Sequence, residues 1–450
     1  MEITKGPIWK ALLSFFFPIL AGTLFQQLYN TVDAFVVGQY VGTAALAAVG
    51  GTTAVYINLL LGFFLGLSSG AGVLISQFYG ANNKASLSQS VHTAIALSLV
   101  GGLIITLLGI ACTNIMLILT HTPEDVVPLS RLYLTIIFSG TIPTFIYNMG
   151  SGILRAVGNS RTPLHIIIVG CVTNIALDLL FVRVLGMGVE GVAFATVICQ
   201  LMSAVIVMFI LLRTHEVYGV KIKDIHFSGH ILREMLRIGF PAGIQSSLYT
   251  ISNLIIQTKF NLFGTKTVAA WAAYGKIDAI FWMTVNAFGI AITTFAGQNA
   301  GAGQLSRIKK GMWQTLFMAT VATVLFCLSF WFFGTVFFRL FSKEEEVITI
   351  GMQILKFMIP WWITYISIEV LSGTIRGTGN SFIPMMITVF GVCALRILWL
   401  FTAVRKNSTL NMVMASYPIT WIITSIAFWI YYLSGKWIYR SDLLKKKPID

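Results

Sequence analysis

The chain has 450 residues, of which 56% are hydrophobic and only 10% charged, and it carries a formal net charge of +14. So little polar surface cannot clothe a soluble globule of this length, which excludes a soluble protein and leaves an integral membrane protein. The apolar runs are about 20 residues or longer and the ten-residue alternation of an outer-membrane barrel is missing, so the spans are read as helices.

Twelve spans are predicted in chain order, the first six at roughly 13–38, 53–78, 90–118, 131–153, 163–184 and 190–212. The first follows Lys5 and Lys10 as a signal sequence would, but it is too long and lacks a small-residue cleavage site, so it reads as a retained span. It presents Thr23, Gln26, Asn30 and Asp33 at spacings of three, four and three, on one face that must line water or a polar cleft. The fourth span ends in SGILRAVGNSRTP, Ser151 to Pro163, whose Gly-Asn-Ser is a tight turn. The fifth offers Asn174 and Asp178 at i, i+4, and the sixth offers Thr196, Gln200 and Ser203. Arg213 to Arg237 is the only long polar connection and reads as a linker, with Glu216, Lys221, Lys223, Asp224, His226, His230, Arg233 and Glu234.

The second six spans fall at roughly 238–262, 270–297, 312–339, 348–373, 383–404 and 412–435. They repeat the first six. Ser372 to Pro384, SGTIRGTGNSFIP, shares seven of thirteen positions with Ser151 to Pro163. Gly42-Thr43 recurs as Gly264-Thr265, and Gln77-Phe78-Tyr79-Gly80-Ala81 as Gln298-Asn299-Ala300-Gly301-Ala302, at nearly the same offset. Six spans return the chain to its starting side, so the repeat is parallel, and a duplicated membrane unit points to a transporter. The expected division is a six-helix lobe over 1–213, a cytoplasmic linker over 214–237 and a second six-helix lobe over 238–450.

Lys and Arg fix the expected orientation. Nineteen lie on the side of the N-terminus, including Lys84, Arg155, Arg161, Arg307, Arg376 and Lys445 to Lys447, against eight opposite, which puts both termini in the cytoplasm of a plasma-membrane protein. The positive charge is this bias together with attraction to anionic lipid, and no nucleic-acid partner is implied. Arg155 and Arg376 read as lipid or helix-end anchors, and the polar outer loops as His121 to Pro128 and Lys343 to Glu346. The five cysteines sit in apolar spans without CxxC spacing and read as buried thiols. No P-loop, HExxH, GxGxxG or His/Cys cluster is present, so an enzyme is not expected and transport must be driven by an ion gradient or by the substrate's own.

Four acids lie inside spans, Asp33, Asp178, Asp278 and Glu369, each at a cost of roughly 2.5–3.5 kcal/mol on insertion scales. Asp278, two residues from Lys276, reads as an ion pair or turn cap as readily as anything else. Asp33 and Asp178, with carboxamide and hydroxyl oxygens beside them, could cage a small hard cation or hold and release one proton. The competing reading is a polar seam that packs helices. In the second copy Ser246, Thr250, Asn253 and Gln257 keep the stripe without an acid in the place of Asp33, so coupling is expected in the first lobe. Trp271, Trp282, Trp361, Trp362 and Tyr365 could stack on planar cations or simply pack.

The repeated six-helix unit, the QxxGA passages, LYNTVDAFVVGQYVG at Leu28 to Gly42 and NIALDLLFVRVLGMGVEGVAFAT at Asn174 to Thr196 closely resemble the multidrug and toxic compound extrusion (MATE) family, prokaryotic type. The resemblance implies an all-α polytopic fold, twelve transmembrane helices in two pseudo-symmetric bundles, V-shaped around a central cleft, acting as a monomer without cofactor. It implies an antiporter that exports small organic, often cationic and aromatic, molecules in exchange for H+ or Na+. The family's cation residues fall on Asp33, Asn148, Asn174, Asp178 and Thr196, with Asp33, Asn174, Asp178 and Thr196 as the metal ligands where Na+ is the coupling ion. Substrate contacts are expected from Gln26, Tyr29, Asn30, Tyr147, Trp282 and Glu369, with Arg396 as the neutralising partner of Glu369 or a tie within the lobe. The seventh span lacks the Glu that one branch places there and has Asn253 and Lys259 instead. The alternative is a lipid-linked oligosaccharide flippase of the same superfamily, for which Arg396, Lys259 and Lys276 would supply cationic lining.

Overall fold

The computed structural model describes residues 3–120 and 122–440. His121 and Lys445 to Lys447, counted above in a loop and in the charge bias, lie outside the described residues. Among the described residues all regular structure is helical. The α-helices are α1 (Ile8–Tyr40), α2 (Thr43–Gly50), α3 (Thr52–Gly80), α4 (Lys84–Leu119), α5 (Val127–Ser139), α6 (Thr141–Ala156), α7 (Arg161–Asp178), α8 (Val189–Arg213) and α9 (Gly229–Phe260). They continue as α10 (Thr265–Gly301), α11 (Leu305–Arg339), α12 (Glu345–Met358), α13 (Trp362–Gly377), α14 (Phe382–Thr388), α15 (Leu395–Lys406), α16 (Leu410–Met414) and α17 (Ser416–Leu433).

Ten of the described stretches are long and apolar enough to cross a membrane, and α5 with α6, bent by 49° at their junction, make an eleventh. The predicted span at 131–153 is therefore two helices. Gly140 separates them, and Pro143 has no N–H to give the carbonyl of Ser139. Pro360 has the same effect in the predicted span at 348–373, where the 3₁₀ turn Ile359–Trp361 separates α12 from α13. α9 covers the predicted seventh span, but Gln245, Ser246, Thr250, Asn253 and Gln257 leave it too polar to count by composition alone. The two Gly-Asn-Ser passages are the tight turns expected: Gly158 and Gly379 take φ of 94° and 95°, and the following Asn159 and Asn380 accept from the backbone N–H of Thr162 and Ile383.

Contacts divide the chain into two compact units, Phe17–Ser247 and a second made of Ile3–Phe16 with Leu248 onward. In the first, α3 and the first half of α9 touch at backbone distance. A Cβ on Gly66 would lie 2.2 Å from Gly243 N, and one on Gly70 would lie 2.4 Å from Gly239 N. Small residues at four-residue spacing allow this approach between apolar helices. α3 and α6 are joined by the stacked rings of Phe64 and Phe145, 3.4 Å apart by centroid, which lie over Gly101 of α4.

The polar linker is pinned to α4. His92 Nδ1 donates to Ser88 O at 2.7 Å, which leaves Nε2 to accept from Lys221 N at 3.0 Å. Thr93 Oγ1 accepts from Ser228 N at 3.2 Å. His92→Leu removes the acceptor, so the Lys221 amide should exchange with deuterium about tenfold faster, equivalent to about 1.4 kcal/mol, as read by hydrogen-exchange mass spectrometry. Exchange at the wild-type rate would show the strap to be held by other contacts.

In the second unit α10 and α13 cross closely. Cβ atoms on Gly373 and Gly377 would lie 2.9 Å from Gly289 O and 2.5 Å from Thr293 O. Residues 3–16 are tied to α11 by Arg307, whose Nη1 donates to Gly6 O at 2.9 Å and Nη2 to Lys5 O at 3.0 Å.

Candidate ion-coupling site

Three helices of the first unit supply the site. Asp33 lies on α1, Asn174 and Asp178 close α7, and Thr196 sits on α8. Directly after Asp178 the chain widens into the π-helical turn Leu179–Val184, a feature that often marks a functional position in a helix. Asp33 is 6% exposed, Asn174 1% and Asp178 0%. The carboxyls of Asp33 and Asp178 face each other within side-chain hydrogen-bonding reach, and Thr196 adjoins Asp33. Tyr29, one turn before Asp33, reaches Thr196, and Tyr133 of α5 lies near both acids. Sequence reasoning did not find Tyr133, because only the packing of α5 brings it there.

Polar atoms here are left over. Asp33 Oδ1, both Asp178 oxygens, both amide atoms of Asn174 and Thr196 Oγ1 are enclosed without completing a hydrogen bond of good geometry. All but one of these are oxygens that can accept. Two carboxylates cannot share a dry site as bare charges, and a proton or a hard cation ligated by Asp33, Asn174, Asp178 and Thr196 satisfies them. The donor set thus fits either coupling ion. Asn148 stands apart, since its Nδ2 donates to Thr144 O at 2.8 Å on its own helix and it does not line the neighbouring cavity.

That cavity adjoins the acid pair. Gln26, Tyr29, Tyr147, Asn174, Thr196 and Gln200 are among its lining residues. The space open to the centre of a water-sized sphere is about 40 Å³. Roughly three waters fill such a volume, so it has room for water or an ion beside the acid pair. Gln26, Tyr29 and Tyr147 are where a substrate contact was expected, whereas Asn30 is exposed and outside the lining.

Two sequence expectations fail in the second unit. Asp278 is neither paired with Lys276 nor a turn cap: it accepts from Tyr274 OH at 3.1 Å and from Trp282 Nε1 at 2.7 Å. Both partners are four residues away on the same helical face, while Lys276, two residues away, points elsewhere. Glu369 does not meet Arg396, which takes the other role expected of it, a tie within the lobe, by donating to Thr420 Oγ1 at 3.3 Å. The Glu369 carboxylate lies over the backbone of Gly289, and the charge that acts on it is Arg376. Trp282 is accordingly committed to Asp278 and packs 4.5 Å from Tyr365. Trp362 is buried against Phe281 at 4.6 Å, while Trp361 is exposed. Lys259 lies 5.4 Å from the centre of the Phe401 ring and Arg396 4.2 Å from that of Tyr417, so two of the three cations of the flippase alternative rest on aromatic faces.

The MatE family model matches the chain twice, over residues 18–180 and 241–402. The chain belongs to the MatE family. The first match holds Asp33, Asn174 and Asp178, and the second holds Asp278, Glu369 and Arg396. A Bacillus subtilis (strain 168) relative described as a probable multidrug resistance protein, YoeA, is 28% identical over 95% of this chain and 94% of its own. An FAD transporter of Shewanella oneidensis is 24% identical over 96% of each. Among solved structures, a MOP-superfamily transporter from Pyrococcus furiosus superposes with a TM-score of 0.90 at 21% identity, covering 99% of this chain and 98% of that one. MatE is a family of membrane transporters, and the helices described above are those of a multi-pass membrane protein.

Proposed function

We propose that this MatE protein is a secondary antiporter that exports small organic molecules from the cell and exchanges them for H+ or Na+ at the Asp33–Asp178 pair. The observation that carries this reading is the set of enclosed oxygens without partners around two facing carboxyls. Such a set is tolerated only when a cation occupies it or water reaches it, so its free energy differs between conformations that admit and exclude water, and that difference is what coupling requires. The descriptions of YoeA as a probable multidrug resistance protein and of the Shewanella oneidensis relative as an FAD transporter support organic compounds as the substrate class. The substrate is assigned to the face that Gln26, Tyr29 and Tyr147 give to the cavity beside the pair. The excess of Lys and Arg on one side places both termini in the cytoplasm, and one chain is the working unit.

Proteoliposomes loaded with ethidium and given separate Na+ and pH gradients test the proposal. One gradient should drive ethidium uphill and its collapse should stop the flux. Ethidium movement that follows only its own gradient would rule out antiport.

A further inference from the structure

The second unit holds a cation that no carboxylate neutralises. Arg396 is 0% exposed and lies two residues after the π-helical turn Val389–Ala394, which packs onto α17 through Gly391 and Thr424. Among the described residues it forms no ion pair. Its Nη2 donates to Thr420 Oγ1 at 3.3 Å and its plane covers the Tyr417 ring, while the hydroxyl of the half-buried Tyr249 approaches it. Nε and Nη1 have no acceptor. The next residue on α17, Trp421, is 1% exposed, lies 5.5 Å from the same Tyr417 ring, and leaves Nε1 without an acceptor too.

The nearby acids are spent elsewhere. Asp278 takes its donors from Tyr274 and Trp282, and Glu369 lies toward Arg376. What remains is three enclosed nitrogens, Nε and Nη1 of Arg396 and Nε1 of Trp421, that complete no hydrogen bond, with the Tyr249 hydroxyl as the one oxygen brought near the guanidinium besides Thr420 Oγ1. Proteins rarely leave buried donors in that state, and a buried cation least of all. The first unit has the opposite surplus, of acceptors. A guanidinium fork matches the two oxygens of a carboxylate, and Tyr249, Tyr365, Trp282 and Trp421 surround the position with flat aromatic faces.

We propose that Arg396 anchors a second ligand site, distinct from the acid pair, that takes the carboxylate of an aromatic acid. Trp421 Nε1 is the second donor, and Tyr249, half-buried over the guanidinium, is the group that gives way to admit the ligand. This is a statement about binding and does not depend on cation exchange in the first unit.

Calorimetric titration of the full chain in nanodiscs, corrected with empty nanodiscs, compares 1-naphthoate with its uncharged isostere 1-naphthamide at pH 8. The wild-type protein should bind naphthoate at least about tenfold more tightly. Arg396→Gln should bring naphthoate down to the naphthamide level, Arg396→Lys should keep part of the preference, and Trp421→Phe should weaken naphthoate several-fold. Asp33→Asn should leave the preference intact, which separates this site from the antiport reading. Equal binding of the two probes, or no binding of naphthoate, by the wild-type protein overturns the proposal whether or not the variants fold. A preference that survives in a folded Arg396→Gln protein overturns it as well.

Discussion

Asp33→Asn and Asp178→Asn each reduce uphill export to the level of empty liposomes, while the protein is still made, inserted and purified in normal amount. The amide keeps the shape and volume of the carboxyl and removes its charge. Folding should not suffer, because a charged carboxyl inside a bilayer costs roughly 2.5–3.5 kcal/mol and the amide does not carry that cost. Coupling should fail, because one carboxyl alone with Asn174 and Thr196 no longer requires a cation to balance a paired negative charge. Ethidium efflux in resistance assays and in proteoliposomes checks this, with the amount of protein followed by immunoblot. Full export by both variants would remove the acid pair from the mechanism.

Gly66→Leu should prevent the first unit from folding. A Cβ at this position would stand 2.2 Å from the backbone nitrogen of Gly243, where no side-chain rotation relieves the clash, so α3 and α9 would have to separate. Overpacking typically costs about 1–3 kcal/mol when side chains can move, and here backbone must move, so roughly 3 kcal/mol or more is expected. Gly72, on the same helix, supplies the control. Its nearest neighbour would be 4.0 Å from a Cβ, so Gly72→Ala should be neutral or slightly stabilising through helix propensity. Melting temperature and the monodisperse fraction after detergent extraction measure both. A Gly66→Leu protein with wild-type melting behaviour would mean that the close crossing is absent.

Much of this was readable from residues alone where the signal is local. Asp33 belongs to a stripe at three- and four-residue spacing, and Asn174 and Asp178 stand one turn apart, so their joint burial follows from helix geometry. The Gly-Asn-Ser turns follow from turn chemistry. The breaks at Gly140 and Pro360 were readable too, but a run of apolar residues conceals them when only hydropathy is followed. For Asp278 the right partners were at i−4 and i+4, and nearness in sequence to Lys276 was the wrong guide. Tyr133 beside the acids, Asn148 turned back to Thr144, Arg376 in place of Arg396 beside Glu369, and His92 under the linker depend on which helices pack together. No spacing within one helix encodes those meetings.

The central claim is that substrate and cation displace one another through the Asp33–Asp178 pair. The direct test is cation release on substrate binding by purified protein, followed as protons with a pH-sensitive dye in weak buffer and as displaced radioactive Na+ in parallel. Ethidium should release one of these cations from the wild-type protein and none from Asp33→Asn or Asp178→Asn, although both variants still bind ethidium. Undiminished release from both variants would contradict the account.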